Sequence, residues 1–315
     1  MEQKYNYQIN GLRATLCLLI VLYHFFIRHS GVTVSQYVPN ANVIWGAFFM
    51  LSGYFLSYYD SKRYWISKVK NTIIPYIIAV SVIFLASSCA YGSAYNISTL
   101  DLIMNYLIFP MATTFFDYVD GAHWYIVYLV YFYFVFWLFN IIAKKLNKQI
   151  VHYFMILFGG GCIISMLLPD GGSIAVKGLR ILFNARLVFI ITGYAWKYSR
   201  RNDKRFLLIL SVLLSELYLI HESSMINALY FLTILFVLAC CEKGKMNGLT
   251  NKYLQSVGTY SLFIYLIHQN IGYIIIDNCQ NYWIGAVLAT IYSLTVGLFF
   301  GVCYKRILVL FTNKH

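Results

Sequence analysis

The sequence predicts an all-α, polytopic membrane protein of about ten transmembrane helices, with both termini on the cytoplasmic side. Three observations predict it. Of 315 residues, 60% are hydrophobic and only 11% charged, more apolar surface than a soluble domain of that size can hide. Apolar runs of roughly 15 to 20 residues, the length that crosses a bilayer, recur along the whole chain. Lysine and arginine are sorted onto alternate loops, as the positive-inside rule requires.

In chain order the spans read 11–27, 44–59, 73–90, 124–143, 151–168, 181–196, 206–220, 226–241, 261–276 and 283–304. Segments 44–59 and 206–220 are short for about 30 Å of hydrocarbon, which predicts a tilt, a break or a thinned bilayer there. Residues 100–110, "LDLIMNYLIFP", are too short to span and read as interfacial.

The loops then test the topology. With the N-terminus inside, one set of loops holds Lys4, then Lys62, Arg63, Lys68 and Lys70, then Lys144, Lys145 and Lys148. The same set continues with Lys197, Arg200, Arg201, Lys204 and Arg205, then Lys243, Lys245 and Lys252, then Lys305, Arg306 and Lys314. The opposite loops hold only Arg28, Lys177 and Arg180 among the cations, beside Asp101, Asp117, Asp120, Asp170 and Asp277. A net charge of +13 spread over loops that face anionic lipid needs no nucleic-acid partner. The first helix lacks a small-residue cleavage site and reads as a retained signal anchor. Cys17, Cys89, Cys162, Cys240, Cys241 and Cys303 fall in or beside spans with no C-x-x-C, so they read as small core hydrophobes rather than a disulfide frame or a metal site. Asn96-Ile97-Ser98 matches a glycosylation sequon, a triplet common by chance. With no repeat or linker, residues 1–315 read as one membrane-embedded domain.

Ionisable residues inside spans are costly and face the protein interior, so each is a site candidate. They are Arg13, His24, Arg186, Glu216 and His268. Each also has a bland account. Arg13 and Arg186 lie near span ends and can snorkel, His24 and Glu216 can be wet, and His268 can be a buried, hydrogen-bonded histidine. Geometry favours the first pair. Eleven residues at about 100° each bring Arg13 and His24 to within roughly 20° of one face, about 16 Å apart along the axis. One face of one helix thus offers a cation suited to a phosphate and an imidazole suited to general-base work.

Arg13-x10-His24 is followed by "FFMLSGYFL" (Phe48 to Leu56), a basic stretch ending in "IIPY" (Ile73 to Tyr76), "HWYIVYL" (His123 to Leu129) and "YSLFIYLIH" (Tyr260 to His268). In order and spacing these five elements resemble the acyltransferase-3 family of integral membrane acyltransferases. They extend over nearly all the predicted spans, and the chain resembles the stand-alone members that carry only the membrane unit.

The resemblance implies an O-acyltransferase, with acetyl as the expected group. It would move that group from acetyl-CoA at the cytoplasmic side onto a hydroxyl of a glycan or lipid-linked saccharide, such as O-antigen, capsule or exopolysaccharide. It implies His24 as base or transient acyl carrier, and Arg13 as a second essential residue that holds the donor or orients the site. Lys68 and Lys70 would contact the CoA phosphates; Asn71 and Thr72 stand where the family carries a further basic residue. Ser52 shares a face with Phe48 and Phe55 and would line the acyl passage, with Gly53 allowing close helix approach. His123 and Trp124 would form an aromatic lip for a sugar, and Tyr265, His268 and Glu216 complete the expected substrate-binding set. No metal is expected. The expected setting is the bacterial inner membrane, with the bilayer and envelope polysaccharide assembly proteins as partners. A secondary transporter of a small solute or saccharide precursor is the rival reading, although no pair of Gly/Pro-broken helices or inverted repeat is visible. A catalytically silent scaffold is the third.

Overall fold

A computed structural model describes residues 6–28, 39–58, 60–92, 95–108, 117–146, 150–169, 173–202 and 205–312. Lys4, Lys148, Asp170, Lys204 and Lys314 lie outside these residues, as do residue 59 of the second predicted span and residues 109–110 of the interfacial segment; the helix of that second span stops at Tyr54, short of the predicted end. The described residues form helices and no strand. Five helical stretches are long and apolar enough to cross a membrane: Tyr7–Ile27, Ser61–Tyr91, His123–Lys145, Met225–Glu242 and Tyr282–Leu310. The chain is an integral membrane protein.

Helix α1 (Tyr7–Leu22) begins where the Asn6 side chain accepts the backbone N–H groups of Gln8 and Ile9, at 2.9 and 3.1 Å, filling two of the donors a helix start leaves bare. It runs on into a wider π-turn, Tyr23–Arg28. Helix α2 (Ala41–Tyr54) is capped in the same way by Asn40. The basic stretch expected to lead into the third span is itself helical. Helix α3 (Ser61–Lys68), capped by Asp60, passes through a π-segment (Val69–Ile73) into α4 (Ile74–Tyr91). Helix α5 (Thr99–Tyr106), closed by a capping box of Ser98 and Asp101, is the short element anticipated at 100–110. Helix α6 (His123–Lys145) and α7 (Ile150–Met166) follow within a residue or two of expectation.

Two expected spans are broken. The segment 181–196 is instead the end of α8 (Ile174–Leu182), a 3-10 turn at Ala185–Leu187 and α9 (Val188–Asn202). There the Asn184 side chain accepts the Arg186 N–H at 3.1 Å, and Ser165 of α7 holds the Phe183 carbonyl. Those side-chain bonds replace the helical ladder, so Arg186 sits on a turn rather than inside a span. Helices α10 (Arg205–Glu222) and α11 (Met225–Glu242) match expectation. The segment 261–276 divides at His268 into α12 (Lys252–Ile267) and α13 (Gln269–Asp277). The cause is local: His268 Nδ1 bonds the Tyr265 carbonyl at 2.6 Å, competing for an acceptor that an unbroken ladder gives to the backbone. Helix α14 (Tyr282–Thr312) is longer than the final predicted span.

Small residues bring the backbones together. A Cβ on Gly53 would lie 1.9 Å from the Ile190 carbonyl oxygen of α9, and one on Gly193 of α9 would lie 1.8 Å from that of Met50. Helices α2 and α9 therefore touch backbone to backbone, the close approach expected at Gly53. Opposite, α1 packs on α12, where Asn10 donates to the Gln255 backbone and side-chain oxygens at 2.9 and 3.0 Å. Helix α1 is thereby enclosed, with Ile9, Ala14, Cys17, Val21 and Phe25 fully buried.

Candidate functional site

A cavity of about 350 Å³ lies among α1, α2, α3, α4, α6, α12 and α14, within the roughly 300–1,000 Å³ of ordinary ligand pockets. Chain direction orders its walls. Arg13, Phe55, Lys68, Tyr133, Thr259 and Lys305 mark one end, and Phe48, Ser52, Tyr125 and Tyr265 the other. Tyr125 and Tyr133 are eight residues apart on α6, so the walls extend about 12 Å along the helices. The first end is cationic and aromatic together. The Arg13 guanidinium lies 5.0 Å from the Phe55 ring centre, and Lys68 Nζ 4.0 Å from that of Tyr133. Lys305 joins them. Three cations gathered at one end of a cavity suit a polyanion.

The other end is a ladder of rings. Ser52 Oγ bonds its own helix at Phe48 and lies 3.2 Å from the Tyr125 hydroxyl. The Tyr125 and Tyr265 rings are 5.2 Å apart, Tyr265 and His268 5.4 Å, and His268 and His24 5.1 Å. His24 Nδ1 in turn lies 3.2 Å from the Tyr273 hydroxyl. His24 is 6% exposed and His268 0%, so both imidazoles face inward. Because His268 Nδ1 meets a carbonyl, that nitrogen carries the proton and Nε2 keeps its lone pair. Nε2 is buried and makes no hydrogen bond.

The expected residues thus separate into groups. Arg13, Ser52, Lys68 and Tyr265 line the cavity. His268 and His24 stand behind Tyr265, one and two rings beyond the lining respectively, so Arg13 and His24 share an inward-facing helix but not one wall. Lys70 is outside the lining; its carbonyl accepts the Tyr304 hydroxyl at 2.5 Å. His123 is fully buried, its ring 5.0 Å from that of Tyr76. Trp124 packs at 5.2 Å on Trp45 and at 4.6 Å beneath the Arg186 guanidinium. Glu216, on α10, is likewise not part of the lining and has a buried Oε1 without a partner. Sequence reasoning passed over Lys305, Tyr125 and Tyr133. Lys305 looks like one more cation of the basic collar, and nothing local ties the last helix to the first. Tyr125 and Tyr133 carried a usable signal, since with Leu129 they recur every four residues along one ridge of α6.

Membrane-length apolar helices around a cavity with a cationic end define an integral membrane protein with an internal site. It belongs to the acyltransferase-3 family: the family model described as an acyltransferase domain matches residues 6–302, nearly the whole chain. It is a membrane transferase of acyl groups. No curated protein and no solved structure matches it.

Proposed function

We propose that the protein is an O-acetyltransferase that takes acetyl from acetyl-CoA at the cytoplasmic face and places it on a hydroxyl of an envelope glycan or lipid-linked saccharide. The observation that carries this is the joining of two unlike ends: a cavity walled by Arg13, Lys68 and Lys305 reaches Tyr265, and the buried pair His268 and His24 stands directly behind. The cations hold the donor's phosphates, as charge-assisted contacts do, and the arm carrying the thioester lies along Ser52, Tyr125 and Tyr265. His24 removes the acceptor's hydroxyl proton as that oxygen attacks the thioester carbonyl. The carbon–sulfur bond then breaks and the thiolate leaves as free CoA once protonated. His268 Nε2 is a ready partner for the acceptor hydroxyl. Trp124 and Arg186 offer a flat, polar face for the saccharide further out, and the exposed Lys62 faces anionic lipid at the inner-membrane surface.

The breaks at Phe183–Asn184 and at His268 favour a second reading, a secondary transporter, since interrupted helices line many transport sites. One experiment divides the two. Envelope glycans from cells with and without the gene are compared by mass spectrometry, and label from acetyl-CoA is followed into the glycan. His24→Ala is expected to remove glycan acetylation, a loss of about 10²–10⁴-fold for a missing general base, while the protein stays in the membrane at normal abundance. Acetylation that persists in His24→Ala, or solute movement independent of acetyl-CoA, overturns the proposal.

A further inference from the structure

The segment Val119–Ala122, just before α6, contains Asp120, a carboxylate with 0% exposure. Among the described residues what it holds is backbone. One oxygen accepts the Ala122 N–H at 2.7 Å and the other accepts the Asn270 N–H at 2.9 Å. Those two amides belong to the starts of two different helices. Ala122 precedes His123, the first residue of α6, and Asn270 is the second residue of α13, whose own preceding residue, His268, provides no side-chain cap. A helix start carries unpaired N–H donors and partial positive charge, so a single buried carboxylate caps both helices at once.

Further bonds tie the same loop to the same break. Asn270 Nδ2 donates to the Val119 carbonyl at 2.7 Å, and the Tyr265 hydroxyl donates to the Ala122 carbonyl at 3.0 Å. Gly121 admits the approach, since a Cβ there would lie 2.6 Å from the Gln269 side chain. The effect converges on His268. Its Nδ1 is bonded to the Tyr265 carbonyl, the nearby Asn270 is tied to Asp120 and Val119, and its Nε2 is buried without a hydrogen bond, with the His24 ring 5.1 Å away. A buried acceptor without a partner is costly, and the clasp maintains it in the resting protein.

We propose that Asp120 is a positioning residue for acyl transfer: by capping α6 and α13 together it fixes the helix break that presents the His268 imidazole to His24 and to the acceptor hydroxyl. Asp120 touches neither donor nor acceptor. This rests on the reading of His24 as the reacting imidazole, and the test separates the two.

Membranes carrying the full-length protein are assayed with labelled acetyl-CoA as the varied donor and the envelope membranes of a strain lacking the gene as acceptor. Asp120→Asn keeps the shape but turns an amide NH₂ toward one of the backbone donors. It is expected to lower the maximal rate about tenfold or more, while half-saturation by acetyl-CoA stays within roughly twofold, because every cavity residue remains in place. Asn270→Ala keeps the N–H and removes only the bond to Val119. It is expected to give the same pattern with a smaller loss, roughly two- to fivefold, and it decides the question if Asp120→Asn does not accumulate. An unchanged maximal rate, or a rate loss matched by a rise in donor half-saturation, overturns the proposal. An active His24→Ala would instead overturn the reading beneath it, whatever Asp120→Asn does.

Discussion

The two ends of α1 are built from opposite materials. Around Arg13 the walls bring three cations, aromatic faces and an open volume; around His24 they bring a second imidazole, a phenol and close packing. At the first end charge is concentrated and space is left. At the second, rings stand in close contact. An end that must hold a charged, flexible molecule benefits from attraction over distance, whereas an end that moves a proton needs groups within hydrogen-bond reach and held still. Under the proposed function the difference gives binding to one end and chemistry to the other.

That contrast can be broken most directly at Arg13. Arg13→Ala should cut transfer about 100-fold, mainly by raising the acetyl-CoA concentration needed for half-saturation, and Arg13→Lys should recover only part, since a lysine offers a point charge without the planar fork. Steady-state kinetics with varied donor checks this; an effect confined to the maximal rate would place Arg13 with His24 rather than opposite it. A smaller effect is expected between the ends. Gly53→Leu pushes side-chain atoms into the Ile190 carbonyl of α9, and the overpacking should cost about 1–3 kcal/mol. Thermal unfolding in detergent measures it, and no loss would mean that α2 and α9 are free to separate.

The smallest effects belong to two carboxylates at the His24 end, which titrate with opposite sign. The Ser98 hydroxyl bonded to Asp101 holds that carboxyl below its usual range. Its capping contribution is therefore complete above the unfolded value near pH 4 and is lost as pH falls through the lower folded value. Protection across Thr99–Tyr106, measured as hydrogen exchange relative to the intrinsic rate at each pH, should fall on acidification to about pH 3, and Asp101→Asn should remove that dependence. Burial instead pushes Asp120 up to about 6, against the pull of its two backbone donors. The folded protein then binds a proton that the unfolded chain does not between about pH 4 and 6, so this group's contribution to stability declines as pH rises through that window and is level above it. Acidification should loosen α5 while leaving the α6–α13 clasp folded.

Much of the architecture was legible because bilayer-length apolar runs leave few alternatives. What composition could not convey was interruption. The helix breaks at Asn184 and His268 arise from single side chains that capture backbone groups, a competition decided by rotamer and neighbour rather than by average hydropathy. The continuity from Ser61 to Tyr91 was hidden for the converse reason, since a basic stretch reads as loop when it is the wet end of a helix. Of the cavity lining, Arg13, Ser52 and Tyr265 were picked out by spacing along their own helices and Lys68 by the resemblance. Lys305 and Asp120 did not, because each acquires its surroundings from helices far away in the chain. Asp120 in particular looks like an ordinary outer-loop acid until Asn270 is seen to arrive from 150 residues away.

The run from Ser61 to Tyr91 has a mechanical corollary. Its 31 residues make a rod about 46 Å long at 1.5 Å per residue, against about 30 Å of hydrocarbon. Something near one third of it must stand clear of the lipid tails. Lys62 and Arg63, both exposed at the tip, reach the headgroup layer like an outrigger, setting how deep the bundle rides and holding Lys68 at the waterline.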